Sequence, residues 1–165
     1  MAVNSTLERT SRTPHARRGV HARGGANPHA ALSLLAAARH GLHEAATTSR
    51  PSERYANAHL AALRCAAAVL AARARPELPG SRRVRRSRNA WVLLTEVAPE
   101  LAEWAAFFAA GAAKRAAAEA GLEGAVTARE ADDLLRDTEI FLALVETTIG
   151  VLHQPALPVE AARAS

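Results

Sequence analysis

The sequence predicts an all-α protein, an up-and-down bundle of four or five helices with a disordered basic N-terminal arm. Three observations carry this. Alanine fills about a quarter of the 165 residues, and Ala and Leu favour helix, whereas β-branched residues are too sparse for a sheet. Apolar residues recur at i, i+3, i+4 spacing in several long stretches, the period of a helix with one buried face. Helix-breaking and turn residues fall between those stretches, at Pro28, Pro51, Pro99, Gly121, Gly124 and Gly150. A chain of this length fits one domain with a single core of modest size.

Each element has its own signal. Residues 1–27 are rich in Arg, His, Gly, Ser and Thr without an apolar period, and are expected to form the disordered arm. Pro28 suits the first position of a helix, with Asn27 before it as cap, and this helix should run to about Ala46. Thr47-Thr48-Ser49-Arg50 makes a break. Pro51 opens a second helix, with Glu53 in its dipole-favoured first turn, continuing to about Ala74. On that helix Ala56, Leu63, Ala67, Leu70 and Ala74 repeat on one face and define the expected buried stripe. A linker over residues 76–88 follows, punctuated by Pro76, Pro79 and Gly80.

A short third helix is expected over Ser87 to Val97, restarted or kinked at Pro99. Its continuation to Ala120 places Leu101, Trp104, Ala105, Phe108 and Ala112 on one face. Both Trp and two of the three Phe lie between Trp91 and Phe108, which marks that segment as the packing anchor. Thr127 and Glu130 form a capping box that starts the last helix. There Ala131, Leu134, Leu135, Thr138, Phe141, Leu142, Val145 and Ile149 make a 3.6-residue stripe. The bundle domain is thus expected over 28–152, with a loose tail at 153–165. Short connections favour antiparallel neighbours.

Charge is unevenly placed. The formal net charge is +5, with twenty Arg against one lysine, Lys114. Residues 1–30 carry +4 and residues 73–88 carry +6, so the remaining body is mildly acidic. Arg82, Arg83, Arg85, Arg86 and Arg88 in the linker suit phosphate contacts, which are independent of base sequence and sensitive to salt. No aromatic residue interleaves with them, so that linker offers no stacking platform. The only cysteine, Cys65, excludes an intrachain disulfide. The longest uncharged run, Gly24 to Ala38, is too short and polar to span a bilayer, so a cytoplasmic protein with no membrane partner is expected.

One stretch places chemically capable residues at a meaningful spacing: Arg54-Tyr55-Ala56-Asn57-Ala58-His59. In a straight helix, at 100° per residue, His59 lies about 60° and Arg54 about 160° from the centre of the expected stripe. Other groupings are weaker. His40, His43 and Glu44 offer two nitrogen ligands without a third, and read as a solvent-facing patch. Glu130, Asp132, Asp133 and Asp137 resemble a carboxylate cluster, yet Arg129–Asp133 and Asp132–Arg136 are i,i+4 pairs, so a salt-bridged outer face is expected. Arg23 and His29 share a similar spacing but fall in the arm. No metal set and no cofactor motif is present, so neither is expected.

The strings SERYANAHLAALRCAAAVLAARARP (52–76), NAWVLLTEVAPELAEWAAFFAAGAAKRAAAEAG (89–121) and TAREADDLLRDTEIFLALVE (127–146) resemble a small HEPN family typical of high-GC Gram-positive bacteria. The resemblance covers about 52–150 and implies a HEPN-type helical bundle. Many such proteins are metal-independent endoribonucleases with an Arg-x(4–6)-His motif, commonly assembled across a homodimer; others are RNA-binding or protein-interaction modules without it. In the first case His59 would act as general acid/base, Arg54 would stabilise the phosphorane-like transition state, and Asn57 would orient a phosphate oxygen or the imidazole. The motif here lies in the second helix rather than towards the end of the bundle, where Phe141 stands in place of a histidine. The leading expectation is a catalytically degenerate bundle that binds RNA or a protein partner. A homodimeric endoribonuclease and a purely structural adaptor are the alternatives.

Overall fold

Caps written in the sequence set the helix starts. In the computed structural model, residues 26–73 and 89–150 are described, and every helix among them is joined to the next by few residues except across the basic linker. Helix α1 spans Pro28–Thr47, with the Asn27 side chain accepting from the Ala30 N–H at 3.0 Å. Helix α2 spans Pro51–Ala72, again with proline in its first turn. Asn89 caps α3, Ala90–Val97. Ala98 leaves the helical region before Pro99, as residues preceding proline do. A 3-10 turn at Pro99–Leu101 then leads into α4, Ala102–Ala110. Gly111 breaks the rod, and α5 continues over Ala112–Glu119. Helix α6, Ala128–Thr148, opens on the expected Thr127/Glu130 capping box. Counting α4 and α5 as one broken rod gives five bundle members, within the expected four or five, and no strand among the described residues.

Contacts between helices fix their directions. Asn27 N–H bonds to the Ala71 carbonyl at 2.8 Å, so α1 starts where α2 ends and the two are antiparallel. Arg54 pairs with Asp132, joining the N-terminal ends of α2 and α6, while Arg39 on α1 reaches Glu146 near the other end of α6 at 2.6 Å. Helices α2 and α6, the second and fifth members, are therefore parallel, so one step between them departs from strict alternation. The Arg73–Glu100 ion pair, 2.6 Å, ties the corner between α3 and α4 to the last turn of α2.

The α1–α2 seam is built from small residues. On α1, Ala31, Leu35, Ala38, Leu42 and Ala45 are buried at alternating spacings of four and three, the pattern of a coiled-coil seam. Facing them, Ala58, Ala61, Cys65 and Ala68 of α2 follow the same rhythm. Gly41 sits in this seam because Arg64 crosses over it: a Cβ there would lie 2.9 Å from Arg64 Nη1, which donates to the Ala37 carbonyl at 3.1 Å. The other half of the core is aromatic. Phe108 stacks on Trp91 (5.3 Å between centroids) and meets Phe141 at 5.1 Å, with Trp104 over both. The expected anchor between Trp91 and Phe108 is therefore the packing centre.

One expectation is corrected. Ala56, Leu63, Ala67 and Leu70 of α2 are only half-buried. The buried face runs through Tyr55, Ala58, Ala62, Cys65 and Val69, about 140° round the helix from the expected stripe. Helix α2 is wrapped by α1, α6 and the α3–α5 segment, and fills its tightest contacts with alanine, leaving its leucines on the shallower side. Its composition would suffice for a bilayer span by length and apolarity alone, with half of that window buried inside the bundle. The arm up to residue 25, the linker arginines 82–88 and the tail from residue 151 lie outside the described residues.

Candidate functional site around Arg54 and His59

The first three turns of α2 carry Arg54, Asn57 and His59. Five residues on a helix separate Arg54 from His59 by about 140°. The structure sends them to opposite flanks of the buried face.

Arg54, which the expected stripe put on the far side of the helix, lies on the flank meeting α6, with 19% of its side chain exposed. Nη1 pairs with the Asp132 carboxylate, and Nη2 donates to the Thr48 carbonyl at 2.9 Å. Thr48 is the C-cap of α1. One guanidinium thus ties three elements: the end of α1, the start of α2 and the start of α6. Its fork geometry suits two acceptors at once.

His59 is 1% exposed. Its ring lies between Tyr55 on the same helix and the edges of Trp91 and Phe108, each about 6 Å away. Nε2 is 2.9 Å from the Phe108 carbonyl. A carbonyl only accepts, so Nε2 carries the proton and Nδ1, which has no protein partner, is the unprotonated nitrogen of a neutral ring. Burial pushes the pKa of His59 below its ordinary value, the Phe108 hydrogen bond opposes this, and the Arg115 charge adds to the lowering.

The Phe108 carbonyl is available because the rod breaks at Gly111. The Gly111 N–H turns back to it at 3.2 Å, and the imidazole supplies its second donor. Glycine is needed at this break for space: a Cβ on Gly111 would lie 3.0 Å from the Tyr55 hydroxyl and 3.4 Å from His59 Cδ2. His59 therefore caps a helix interruption that its own helix supports.

Two openings lie nearby, and they divide the three residues. Asn57 lines a cleft of about 730 Å³ with Arg50, Ser52, Glu53, Leu60 and Glu119. His59 lines a pocket of about 280 Å³ with Tyr55, Phe107, Phe108, Gly111 and Lys114. Arg54 lines neither. Within one protomer the two side chains thus share neither opening, and the imidazole Nε2 is already bonded to a carbonyl. The arrangement holds helices together; it does not gather an acid, a base and a charge clamp at one reacting atom.

Of the four carboxylates in the expected α6 cluster, Glu130, Asp132 and Asp133 are consumed similarly, whereas Asp137 makes no ion pair among the described residues. Glu130 accepts from the Thr127 backbone and hydroxyl and from Lys114, which together bring its carboxyl down to about 2, the Lys114 hydrogen bond contributing most. Asp133 pairs with Arg129 at 3.9 Å and with Arg136. The expected Asp132–Arg136 pair is replaced, because Asp132 goes to Arg54. His40 reaches Glu44 at 3.4 Å on the exposed face of α1. Among the described residues no three His, Cys, Asp or Glu gather as a metal site. The linker arginines Arg82, Arg83, Arg85, Arg86 and Arg88 lie outside the described residues.

Several residues that shape this region had no sequence motif. In the sequence Asp132 reads as part of a salt-bridged outer face. Gly111 was a lone glycine within a helical stretch, and Tyr55 and Lys114 were single occurrences of their types. Their one signal was that singularity. A family model described as SAV_6107-like HEPN matches residues 45–146, from the end of α1 through most of α6. No curated protein and no solved structure matches the chain.

Proposed function

We propose that this chain, which belongs to the SAV_6107-like HEPN family, is a catalytically degenerate HEPN bundle that binds RNA through its basic linker. The observation that carries the first half is the commitment of both motif side chains. Arg54 is bound to Asp132 and Thr48, and His59 is a buried neutral donor to Phe108. A general acid/base must reach the proton it transfers, and an arginine that stabilises a transition state must face the same atoms. These two face away from each other. A second copy of the chain would have to pull both from their partners before the endoribonuclease alternative could operate.

The RNA half rests on charge. Arg82, Arg83, Arg85, Arg86 and Arg88 stand within seven residues, between two helices of an otherwise acidic body. Each arginine on a phosphate releases counterions, and five contacts to a single strand predict a slope near −3.5 in log K against log salt, at about −0.7 per contact. Affinity should then fall about a hundredfold between roughly 50 and 200 mM salt. Replacing all five with Gln should remove that dependence. Binding that is absent at every salt, or that keeps its slope in the five-Gln variant, contradicts the RNA reading and leaves a protein partner as the remaining role.

A further inference from the structure

The pocket of about 280 Å³ beside His59 has features the bundle does not require. The Tyr55 ring is buried, at 6% exposure, yet its hydroxyl makes no hydrogen bond among the described residues. That hydroxyl stands over Gly111, where the missing Cβ keeps a gap open. The ring is enclosed while its hydroxyl reaches the opening, where it stands as a donor free to meet a guest. Burial raises its pKa and keeps it a protonated donor.

Lys114 lines the same opening, held there by Glu130, and an ammonium paired with one carboxylate retains further donors. Apart from His59, whose Nε2 is taken by the Phe108 carbonyl, the remaining walls are apolar, among them Phe108, Leu134 and Phe107, the last with 46% of its surface exposed. The volume is at the lower end of small-molecule sites, which run from about 300 Å³ upward, and so suits one planar ring. The basic linker re-enters the fold at Asn89, the cap of α3, two residues before Trp91, whose ring stacks on Phe108. Along the chain, the arginines suited to phosphate contacts therefore precede this aromatic cluster by only a few residues.

We propose that the Tyr55–Phe107–Lys114 pocket takes a single unstacked nucleobase bearing a carbonyl edge, such as uracil, and this rests on the RNA-binding reading above. Phe107 stacks on the ring, and the Tyr55 hydroxyl and Lys114 ammonium donate to the carbonyl oxygen. Lys114 only donates, so an exocyclic amino group in that place is rejected. Single-stranded RNA is ordinarily read in this way, by stacking on aromatics together with hydrogen bonds to the base edge. The same chemistry would accept a base from a strand or from a free nucleoside.

The test titrates the full-length protein with oligouridylate, oligocytidylate, an abasic strand of equal length and charge, and uridine. Oligouridylate should bind roughly tenfold more tightly than the abasic strand, the lower range of a single base–aromatic stack. Phe107→Ala should erase that advantage, and it truncates a rim residue rather than the core. Tyr55→Phe, which keeps the ring and the packing, should narrow the preference for uridylate over cytidylate. Saturable uridine binding that both variants weaken, without any added gain from a strand, supports the pocket with the free nucleoside as its source. Equal binding of oligouridylate and the abasic strand, with no uridine binding, overturns the pocket while leaving the charge-based RNA reading standing. Failure of every strand and of uridine overturns both.

Discussion

Replacing His59 with alanine separates a structural histidine from a catalytic one, because the two roles predict different losses. The imidazole is fully enclosed by Tyr55, Trp91 and Phe108, so truncation leaves a cavity in the aromatic half of the core. Large-to-small core substitutions cost about 2–5 kcal/mol. The Phe108 carbonyl also loses one of two donors and keeps Gly111 N–H at 3.2 Å, so the hydrogen-bond share is nearer about 1 kcal/mol than the full penalty of an orphaned group. Together these give about 3–6 kcal/mol, a large part of the roughly 5–15 kcal/mol available to a domain. Urea unfolding followed by circular dichroism reads it directly. His59→Gln, whose amide can still donate, should lose clearly less. A loss below about 0.5 kcal/mol in His59→Ala, the level of an unremarkable surface substitution, refutes the assignment.

The same residue gives stability a pH dependence of known sign. Its pKa is lowered in the folded state, so below about 6.5, the unperturbed value, the unfolded chain takes up a proton that the native chain resists. The contribution is complete above that pH and is lost as pH falls towards the depressed folded value. For one proton the slope is limited to about 1.4 kcal/mol per pH unit. It should vanish in His59→Gln. Glu130, brought down to about 2, acts in a separate and more acidic window: its contribution is present above the usual carboxylate range and is lost as pH approaches 2.

Three further outcomes are expected. Arg54→Met should destabilise by about 1–2 kcal/mol, since Asp132 is half-exposed and can rehydrate while the Thr48 carbonyl loses its donor; a double-mutant cycle with Asp132→Asn should show coupling near 1 kcal/mol, and independent effects contradict the staple. Gly111→Ala should cost on the order of 1 kcal/mol through its 3.0 Å approach to the Tyr55 hydroxyl, and Tyr55→Phe in the same chain should recover part of it; an additive pair refutes the steric cause. Cys65, buried in the α1–α2 seam with its thiol pushed up to about 12, should resist alkylation in the native protein and react at the rate of unfolding; fast native labelling contradicts its burial.

What the sequence reveals and conceals follows from which interactions are local. Asn27, Pro28, Pro51 and the Thr127–Glu130 box act within one turn, so the helix starts at Pro28, Pro51 and Ala128 can be read directly. The stripe of α6 is equally legible because its buried positions are large and distinct: Leu134, Phe141, Leu142 and Val145. Helix α2 is different. Alanine lies on all its sides and carries no directional signal, so the visible leucines drew the stripe towards the shallower face. The break at Gly111 has no proline to announce it, and the close approach of Tyr55 and His59 to this glycine comes from another helix. The divergence of Arg54 and His59 was readable from five residues of helical rotation, but their partners, Asp132 and Phe108, are contacts between distant segments that spacing alone does not reveal.

The central claim is that this HEPN bundle binds RNA without cutting it. Incubating the full-length protein with single-stranded RNA in the presence of EDTA, and following both complex formation and strand length, tests it most directly. The account predicts a salt-sensitive complex with the strand intact. Cleavage that persists without metal and disappears in a folded His59→Gln variant would contradict it.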